Sequence, residues 1–445
     1  MHRLTSRAGR WPLALTLAAV AACSDDAPTT APRATPSSGS REALDGNVIL
    51  VTNTSGANVP GSLHWAVNLA GGTNVIQFDS TLAGDTITLD TMLEPFAYIT
   101  IEGPSNKGIT LVASPAAGRV IRLPQGGVLR NLTLSGGTAG PGSAVWTQGP
   151  TRLEHTTVTD NHGSGAPIHG HEITLVNSTV SGNTGGSPAS AISIASSGTL
   201  VLNNSTVAHN DGGRAIGWQM SPGGPPFVTL RNSIVANNGF SYNCDDMVDF
   251  YHVGMNIASD STCGVSSSML VADPMLLGLA DNGGPTRTER FDHRSPALNA
   301  GVNCSVTVDQ RYVSRGTSCD IGALEFTDFT VVTLNIDPNA NVNATTGAAT
   351  VTGTVACSRM GDQFGVRVQL EQQQKVGKTT TTVQGTGSTT VNCTTSTQPW
   401  SAAVVPATGA FAAGTGTAGA QTINTPKWVT PTAASRSVKL VRVRK

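Results

Sequence analysis

Residues with reactive or ligand-binding side chains are concentrated around positions 146–172. Four of the nine histidines lie within residues 155–171. His169 and His171 are two residues apart, which places both imidazoles on one side of a strand and suits a single metal ion. Trp146 lies one repeat earlier and offers an indole for stacking on a sugar ring. The expected ligand-binding set is Trp146, His169, His171, Gln219 and Asp160. The simpler alternative is a row of surface histidines on a polar sheet.

A second group of candidates is acidic. The run Asn243-Cys244-Asp245-Asp246 is followed closely by Asp249. Carboxylate oxygens are the ligands that calcium prefers, so Asp245, Asp246 and Asp249 form a candidate calcium site. Their spacing matches no regular calcium loop, and a surface loop closed by a disulfide explains the run equally well. No other cofactor is expected.

A short phrase repeats along the chain and predicts the scaffold that holds these residues. Its aligned positions, 131, 155, 177, 204 and 232, are 24, 22, 27 and 28 residues apart. Alternating β-forming residues that end in polar turns at this period are typical of a coil-stacking solenoid. We therefore expect successive coils to stack, with equivalent residues forming ladders.

Two further ladders are expected from the same repeat. One is polar, and its amides are placed to bond from coil to coil: Asn161, Asn183, Asn210 and Asn237. The other is apolar and should point inward: Val145, Ile168, Ile192 and Ile216. Successive strand residues face opposite sides, so Trp146 and His169 should point outward. Residues 62–70 predict a short amphipathic helix, with Ser62 as its N-cap, which would cover the open first coil.

The N-terminus predicts export. Three arginines within the first ten residues precede an apolar stretch, Trp11 to Ala22, and then Cys23. The stretch is too short to span a bilayer and has signal-peptide flanks. It resembles a bacterial lipoprotein signal, in which Cys23 would carry the lipid; an ordinary cleaved signal is the alternative. Ser24 stands where an acidic residue would favour the inner membrane, so we expect the outer membrane or cell surface. The predicted segments are a signal peptide over 1–22 and a flexible linker over 23–45.

Cysteine count and overall charge agree with an exported chain. Of seven cysteines, six remain after Cys23, an even number that suggests disulfides. Several pairings are open, and the nearest-neighbour set is preferred: Cys244 with Cys263, Cys304 with Cys319, and Cys357 with Cys393. Charged residues make up 12% of the chain and the formal net charge is -1, which argues against nucleic acid as a partner.

Residues 46–326 resemble the right-handed parallel β-helix of the pectate-lyase type. The closing part is similar to the choice-of-anchor Q domain of bacterial surface proteins, and the similarity is carried by these segments: Asp281-Asn282-Gly283-Gly284-Pro285, Ser295-Pro296-Ala297-Leu298, Asp309-Gln310-Arg311 and Cys319-Asp320-Ile321-Gly322. Arg294 and Tyr312 stand where that family usually has glycine. The resemblance implies buried Asp/Arg pairs among Asp309, Arg311, Asp320 and Glu325 that lock the last coil.

The period is lost after Phe326. Residues 327–445 contain alternating segments such as Phe364 to Leu370 and resemble an immunoglobulin-like β-sandwich. The expected fold is thus all-β: a right-handed single-stranded parallel β-helix over 46–326, followed by a C-terminal immunoglobulin-like β-sandwich over 327–445.

No outward position of the candidate strand holds a carboxylate, so no catalytic residue is expected. Asp160 and Glu172 are the nearest acids, and they belong to different coil segments. The preferred function is a monomeric, envelope-anchored protein that binds a polysaccharide or surface glycan and contacts the membrane through its lipid alone. The alternatives are a polysaccharide lyase or glycoside hydrolase, which would need converging carboxylates, and a structural envelope protein.

The lipid anchor can be tested directly. Cys23→Ala removes the sulfur atom that would carry the lipid, so we expect the variant to be released from the membrane fraction, as measured by fractionation and immunoblotting. Ser24→Ala keeps the cysteine and is the matched control. Continued membrane association of Cys23→Ala would contradict the lipoprotein assignment.

Overall fold

Short parallel strands stack into a long coil. A computed structural model describes residues 48–443 except 73, 188, 219–221, 240–241 and 395, so the predicted signal peptide, linker and Cys23 lie outside the described residues. In chain order the coil strands are β1 (Val48–Val51), β2 (Val75–Phe78), β3 (Thr86–Leu89), β4 (Ile99–Glu102), β5 (Ile109–Ala113), β6 (Ile121–Leu123), β7 (Gly127–Arg130), β8 (Leu132–Ser135), β9 (Val145–Thr147), β10 (Thr151–Glu154), β11 (Thr157–Val158), β12 (Ile168–Val176), β13 (Thr179–Ser181), β14 (Ile192–Asn203), β15 (Thr206–Ala208), β16 (Ile216–Trp218), β17 (Phe227–Arg231), β18 (Ile234–Ala236), β19 (Asp249–Val253), β20 (Asn256–Ala258) and β21 (Met269–Val271).

Each full coil contributes to three faces. The first face holds β6, β9, the start of β12, the start of β14, and β16. The second face runs from β1 through β2, β4, β7 and β10 to the ends of β12 and β14, then β17 and β19. The third face runs from β3 to β21. Every pairing within these faces is parallel, which confirms the predicted parallel β-helix.

The repeated phrase marks the corner between the second and third faces. Its first aligned residues all adopt left-handed backbone, with φ between 44° and 57°: Asn131, His155, Asn177, Asn204 and Asn232. Asparagine tolerates this conformation better than most residues. The corner asparagines are at most 1% exposed. Asn131 donates to the Gly103 carbonyl of the coil, whereas Asn177 and Asn232 donate to the carbonyls of Val308 and Val302 in the segment that follows the coil.

A second asparagine ladder runs inside the coil, after the third face. Asn161 Nδ2 donates to Asn183 Oδ1 at 2.9 Å, and Asn183 Nδ2 donates to Asn210 Oδ1 at 2.8 Å. Asn210 continues the ladder to Asn238 at 2.9 Å, so the expectation of Asn237 was wrong by one residue. Asn237 occupies an exposed left-handed corner with φ 56° instead. Position 237 needs a positive φ, and position 238 needs an amide that continues the ladder. Asparagine suits both requirements, so the two adjacent asparagines cannot be told apart by residue type.

The first coil carries the predicted cap. Helix α1 (Leu63–Leu69) begins at Ser62, whose side chain accepts a hydrogen bond from the Trp65 N–H. Leu63, Ala66 and Val67 are at most 2% exposed and belong to the same apolar core as the inward strand residues. A one-turn 3₁₀ helix follows at Ser80–Leu82. The helix therefore closes the apolar end of the coil, as expected.

Residues 281–326, here called the strap, fold back over the outer side of the third face. They follow β22 (Leu276–Ala280) and include β23 (Thr288–Phe291). Thr157 Oγ1 donates to the Arg287 carbonyl at 2.6 Å, and Thr179 Oγ1 donates to Gln310 Oε1 at 2.7 Å. Both threonines are fully buried. The strap thus removes this face from solvent over several coils.

Buried ion pairs hold the strap in shape. Arg311 pairs with Asp309 at 2.7 Å, and Arg315 pairs with Glu325 at 3.1 Å. Arg315 also donates to Asn177 Oδ1 on the coil, a role that the sequence did not reveal. Tyr312, at φ 65°, stacks on His155 with ring centroids 4.1 Å apart. Tyr312 therefore anchors the strap to the coil.

The C-terminal part is a separate all-β unit. Its strands are β24 (Val332–Asn343), β25 (Ala349–Cys357), β26 (Gln363–Val376), β27 (Thr379–Asn392), β28 (Gln398–Pro406), β29 (Gly414–Ile423) and β30 (Ala433–Val443). They close into a barrel, with β24 and β30 joined in parallel and the other pairs antiparallel. All three preferred disulfides are present: Cys244–Cys263, Cys304–Cys319 and Cys357–Cys393. Disulfides of this number indicate an exported protein.

The inner ladder yields a stability prediction. Asn183→Ala removes the acceptor of the buried Asn161 backbone N–H, one acceptor of the Asn161 side-chain amide, and a side-chain donor to two carbonyls. We expect the free energy of unfolding of the coil to fall by about 3 kcal/mol, measured by chemical denaturation. Asn106→Ala, at an exposed turn, is the control. Equal stability of the two variants would show that the ladder is not stabilising.

A second prediction concerns pH. Burial, with the neighbouring Glu325 carboxylate, raises the pKa of Asp320 from 3.8 to about 7. The folded state therefore retains a proton that the unfolded state releases, and this stabilisation, complete below the unfolded pKa, is lost as the pH rises through the folded pKa. Hydrogen bonding to Glu289 raises the pKa of His209, which acts in the same direction.

Burial lowers the pKa of His155, His169 and His252, which acts in the opposite direction, so the test compares two proteins. Between about pH 4 and about pH 7 we expect the unfolding temperature of Asp320→Asn to decline less with rising pH than that of the wild type. Asp90→Asn removes an exposed carboxylate and is the control. A slope in Asp320→Asn equal to that of the wild type would contradict the assignment.

Candidate functional site

The first face carries the predicted outward row. Trp146 pairs in register with His169, and His169 with Ser193. Arg122 precedes Trp146 in the row, and Gly217 follows Ser193. The alternating inward residues are fully buried, as expected: Val145, Ile168, Ile192 and Ile216. Neighbouring strands of one sheet are about 4.8 Å apart, so the row presents one side chain per coil at that interval.

One face of the Trp146 indole is already occupied. The Arg122 guanidinium lies over the ring, 4.6 Å from its centroid. Glu94 holds that guanidinium through a 2.7 Å ion pair with Arg122 Nη1. The sequence did not indicate this arrangement, because Glu94 belongs to no regular strand and only the isolated bridge between Leu93 and Ile121 sets it beside Arg122. The indole is therefore partly exposed, with the fixed cation beside it on one side and His169 in the next coil on the other.

His169 is partly buried and positioned by hydrogen bonding. Its Nδ1 lies 3.3 Å from Ser193 Oγ in the next coil. Burial lowers the pKa of His169, and the positive charge of Arg119 lowers it further. Arg119 donates to the carbonyls of Pro141 and Gly142 at 3.0 and 2.7 Å. A neutral imidazole at this position both donates and accepts hydrogen bonds, as a hydroxyl-rich ligand requires.

The remaining members of the expected ligand-binding set do not join this row. His171 is exposed, at a register shift in β12. Asp160 lies at a left-handed corner after the third face, and its carboxylate pairs with Arg287 of the strap at 3.0 Å. Gln219 lies outside the described residues. The structure therefore unites Trp146 and His169 and assigns Asp160 to strap attachment.

The expected calcium ligands do not converge. Arg214 lies 3.5 Å from an Asp245 carboxylate oxygen and 3.8 Å from one of Asp246. Asp249 belongs to β19 on the second face. Within the described part of the chain, no group of three or more histidine, cysteine or acidic side chains is placed to hold a metal ion. Asp245 and Asp246 therefore face Arg214, and the calcium site stays a prediction.

On the second face, two carboxylates that the sequence did not single out flank one arginine. Arg130 contacts Glu154 at 2.5 Å and Glu102 at 3.3 Å. Burial alone would raise the pKa of Glu154, but the charges of Arg130 and Arg152 bring it below its ordinary value. Glu154 and Glu102 lie 24 and 28 residues from Arg130, spacings that occur in the repeat and were the available signal.

This carboxylate pair is poorly suited to acid catalysis. A general acid in a glycoside hydrolase needs a raised pKa so that it keeps its proton near neutral pH. Glu154 has a lowered pKa, and both carboxylates are bound to a central arginine. The geometry is that of an ion-pair network that ties three coils together.

Comparison with known proteins gives only distant similarities. No protein-family model and no curated protein matches the chain. Among solved structures, pectate lyase Pel9A is 13% identical and covers 64% of this chain and 98% of its own, with a TM-score of 0.28. The tailspike protein of the Acinetobacter phage vB_ApiP_P1 is 11% identical and covers 89% of each chain, with a TM-score of 0.26. In the described residues no helix is long and apolar enough to cross a membrane.

Proposed function

We propose that this protein is an exported, non-catalytic β-helix that binds a polysaccharide or surface glycan through its first face. The observation that carries the proposal is the in-register row of Arg122, Trp146 and His169. A cation, an indole and a neutral imidazole occupy successive coils along a straight line. Such a line matches an extended chain of sugars better than a compact small molecule.

The chemistry of the row suits sugars. A pyranose ring has an apolar side that packs on aromatic surfaces and hydroxyl groups that need hydrogen-bond partners. The partly exposed indole of Trp146 supplies the first, and the partly exposed imidazole of His169, which buried Ser193 positions, supplies the second. Around the row, Arg119 and Arg122 outnumber Glu94, so an acidic polysaccharide is favoured over a neutral one.

Lipid anchoring through Cys23 completes this proposal. The tether would hold the coil at the cell surface, and the barrel would serve as a spacer or a partner module. A monomer suffices, because the row lies within one chain. The enzyme alternative has weaker support, since the carboxylates of the second face are neutralised by Arg130 and Arg152.

Glycan retention tests the row. We expect Trp146→Ala and His169→Ala each to weaken binding to acidic polysaccharides on a glycan array by about tenfold, because each removes one contact of about 1 kcal/mol or more. Tyr98→Ala removes a half-exposed aromatic ring outside the row and is the control. Unchanged glycan binding by both Trp146→Ala and His169→Ala would contradict the proposal.

A parallel assay separates binding from catalysis. The wild-type protein is incubated with acidic and neutral polysaccharides, and new reducing or unsaturated ends are measured. We expect none. Release of such ends that is abolished by Glu154→Gln would contradict the non-catalytic assignment and favour the enzyme.

A further inference from the structure

Two aromatic rings stand exposed on the second face, near the end of the coil. Phe227 is 46% exposed and Tyr251 is 58% exposed. Their ring centroids are 6.4 Å apart and their planes are inclined by 41°. Large exposed apolar side chains that lie next to each other commonly mark a binding surface.

The fold sets this pair in a defined geometry. β17 and β19 are adjacent and parallel, with Phe227 opposite Asp249 and Thr229 opposite Tyr251. The two rings are therefore diagonal neighbours on the outward side, a relation within reach of aromatic side chains. Val228, which alternates with them, is fully buried in the core. The backbone beneath the rings is thus a rigid sheet.

The surroundings of the rings leave them accessible. In the three preceding coils, the positions in register with Tyr251 hold shorter side chains: Thr174, Val201 and Thr229. The strap covers the third face, on another side of the coil. One face of the Trp146 ring, by contrast, is covered by the Arg122 guanidinium.

Polar groups border the pair on both sides. Thr199 and Asp249 are the register partners of Phe227, and both are exposed. Arg231 lies four residues beyond Phe227 on the same strand. The Asp249 carboxylate and the Arg231 guanidinium carry opposite charges. Together with the Thr199 hydroxyl, they can accept hydrogen bonds from, and donate them to, the hydroxyl groups of a ligand.

We propose that Phe227 and Tyr251 form a binding subsite for a neutral saccharide, with successive sugar rings stacked on the two aromatic rings. The ligand class rests on the proposed function, but the residues and the face are distinct from the Trp146 row. The balanced charges select against the acidic glycans that the first face favours. The protein would then contact an uncharged sugar segment on one face and an acidic one on another.

Calorimetric titration with cellohexaose, mannohexaose and hexagalacturonate tests this subsite. We expect Phe227→Ala and Tyr251→Ala each to weaken binding of one neutral hexasaccharide at least tenfold and to leave hexagalacturonate binding unchanged. Tyr251→Phe keeps the ring and should retain binding within about twofold. Tyr98→Ala is the matched aromatic control. Unfolding temperatures should stay at the wild-type value, because both side chains are exposed.

The outcomes separate the two proposals. If Trp146→Ala weakens hexagalacturonate binding while the Phe227 and Tyr251 variants bind like the wild type, the subsite is refuted and the proposed function stands. If only the Phe227 and Tyr251 variants lose binding, the subsite stands and the first-face row is refuted. If the wild type binds none of the three probes, or if the rings instead bind a protein partner, the subsite is refuted.

Discussion

The inner asparagine ladder is the interaction on which the rest of the structure depends. Each ladder amide donates to the next coil, and each ladder oxygen accepts from the backbone N–H and the side chain of the coil before it. These groups are buried, where an unpaired amide would cost more than a paired one contributes. A coil shifted by one residue along the ladder would leave several such groups unpaired. The ladder therefore fixes the register of the coils, and with it every outward row.

Register explains how three similar faces acquire different roles. The third face is covered by the strap, whose Gln310 reaches buried threonines of two coils. The first face aligns Arg122, Trp146 and His169. The second face carries an ion-pair network around Arg130 and, further along, two exposed aromatic rings. The backbone repeats from coil to coil, but the outward side chains do not. The role of each face therefore follows from the few large or charged side chains that interrupt its small polar residues.

The sequence predicted whatever depends on period and alternation. The coil, the cap helix, the inward row and the three disulfides all follow from spacing, and so does the outward position of Trp146. What it missed depends on side-chain contacts that the period does not show. Glu94, one coil before Arg122, holds that residue over the indole. Asp160 was expected at a ligand site and instead pairs with Arg287, 127 residues later. Asn237 was taken for a ladder residue because its neighbour Asn238 is identical in type, and only backbone conformation separates their roles.

The central claim is that glycans contact the outward side-chain rows that the asparagine ladder holds in register. Oxidative footprinting by mass spectrometry tests this contact on the individual side chains. Trp, His, Phe and Tyr are oxidised readily when exposed, so a bound polysaccharide should protect those it covers. We predict protection of Trp146 and His169 by an acidic polysaccharide and of Phe227 and Tyr251 by a neutral one, with unchanged oxidation of Phe96 and Trp428. Protection confined to aromatic residues of the C-terminal barrel, or unchanged oxidation of all four residues under saturating ligand, would contradict the account.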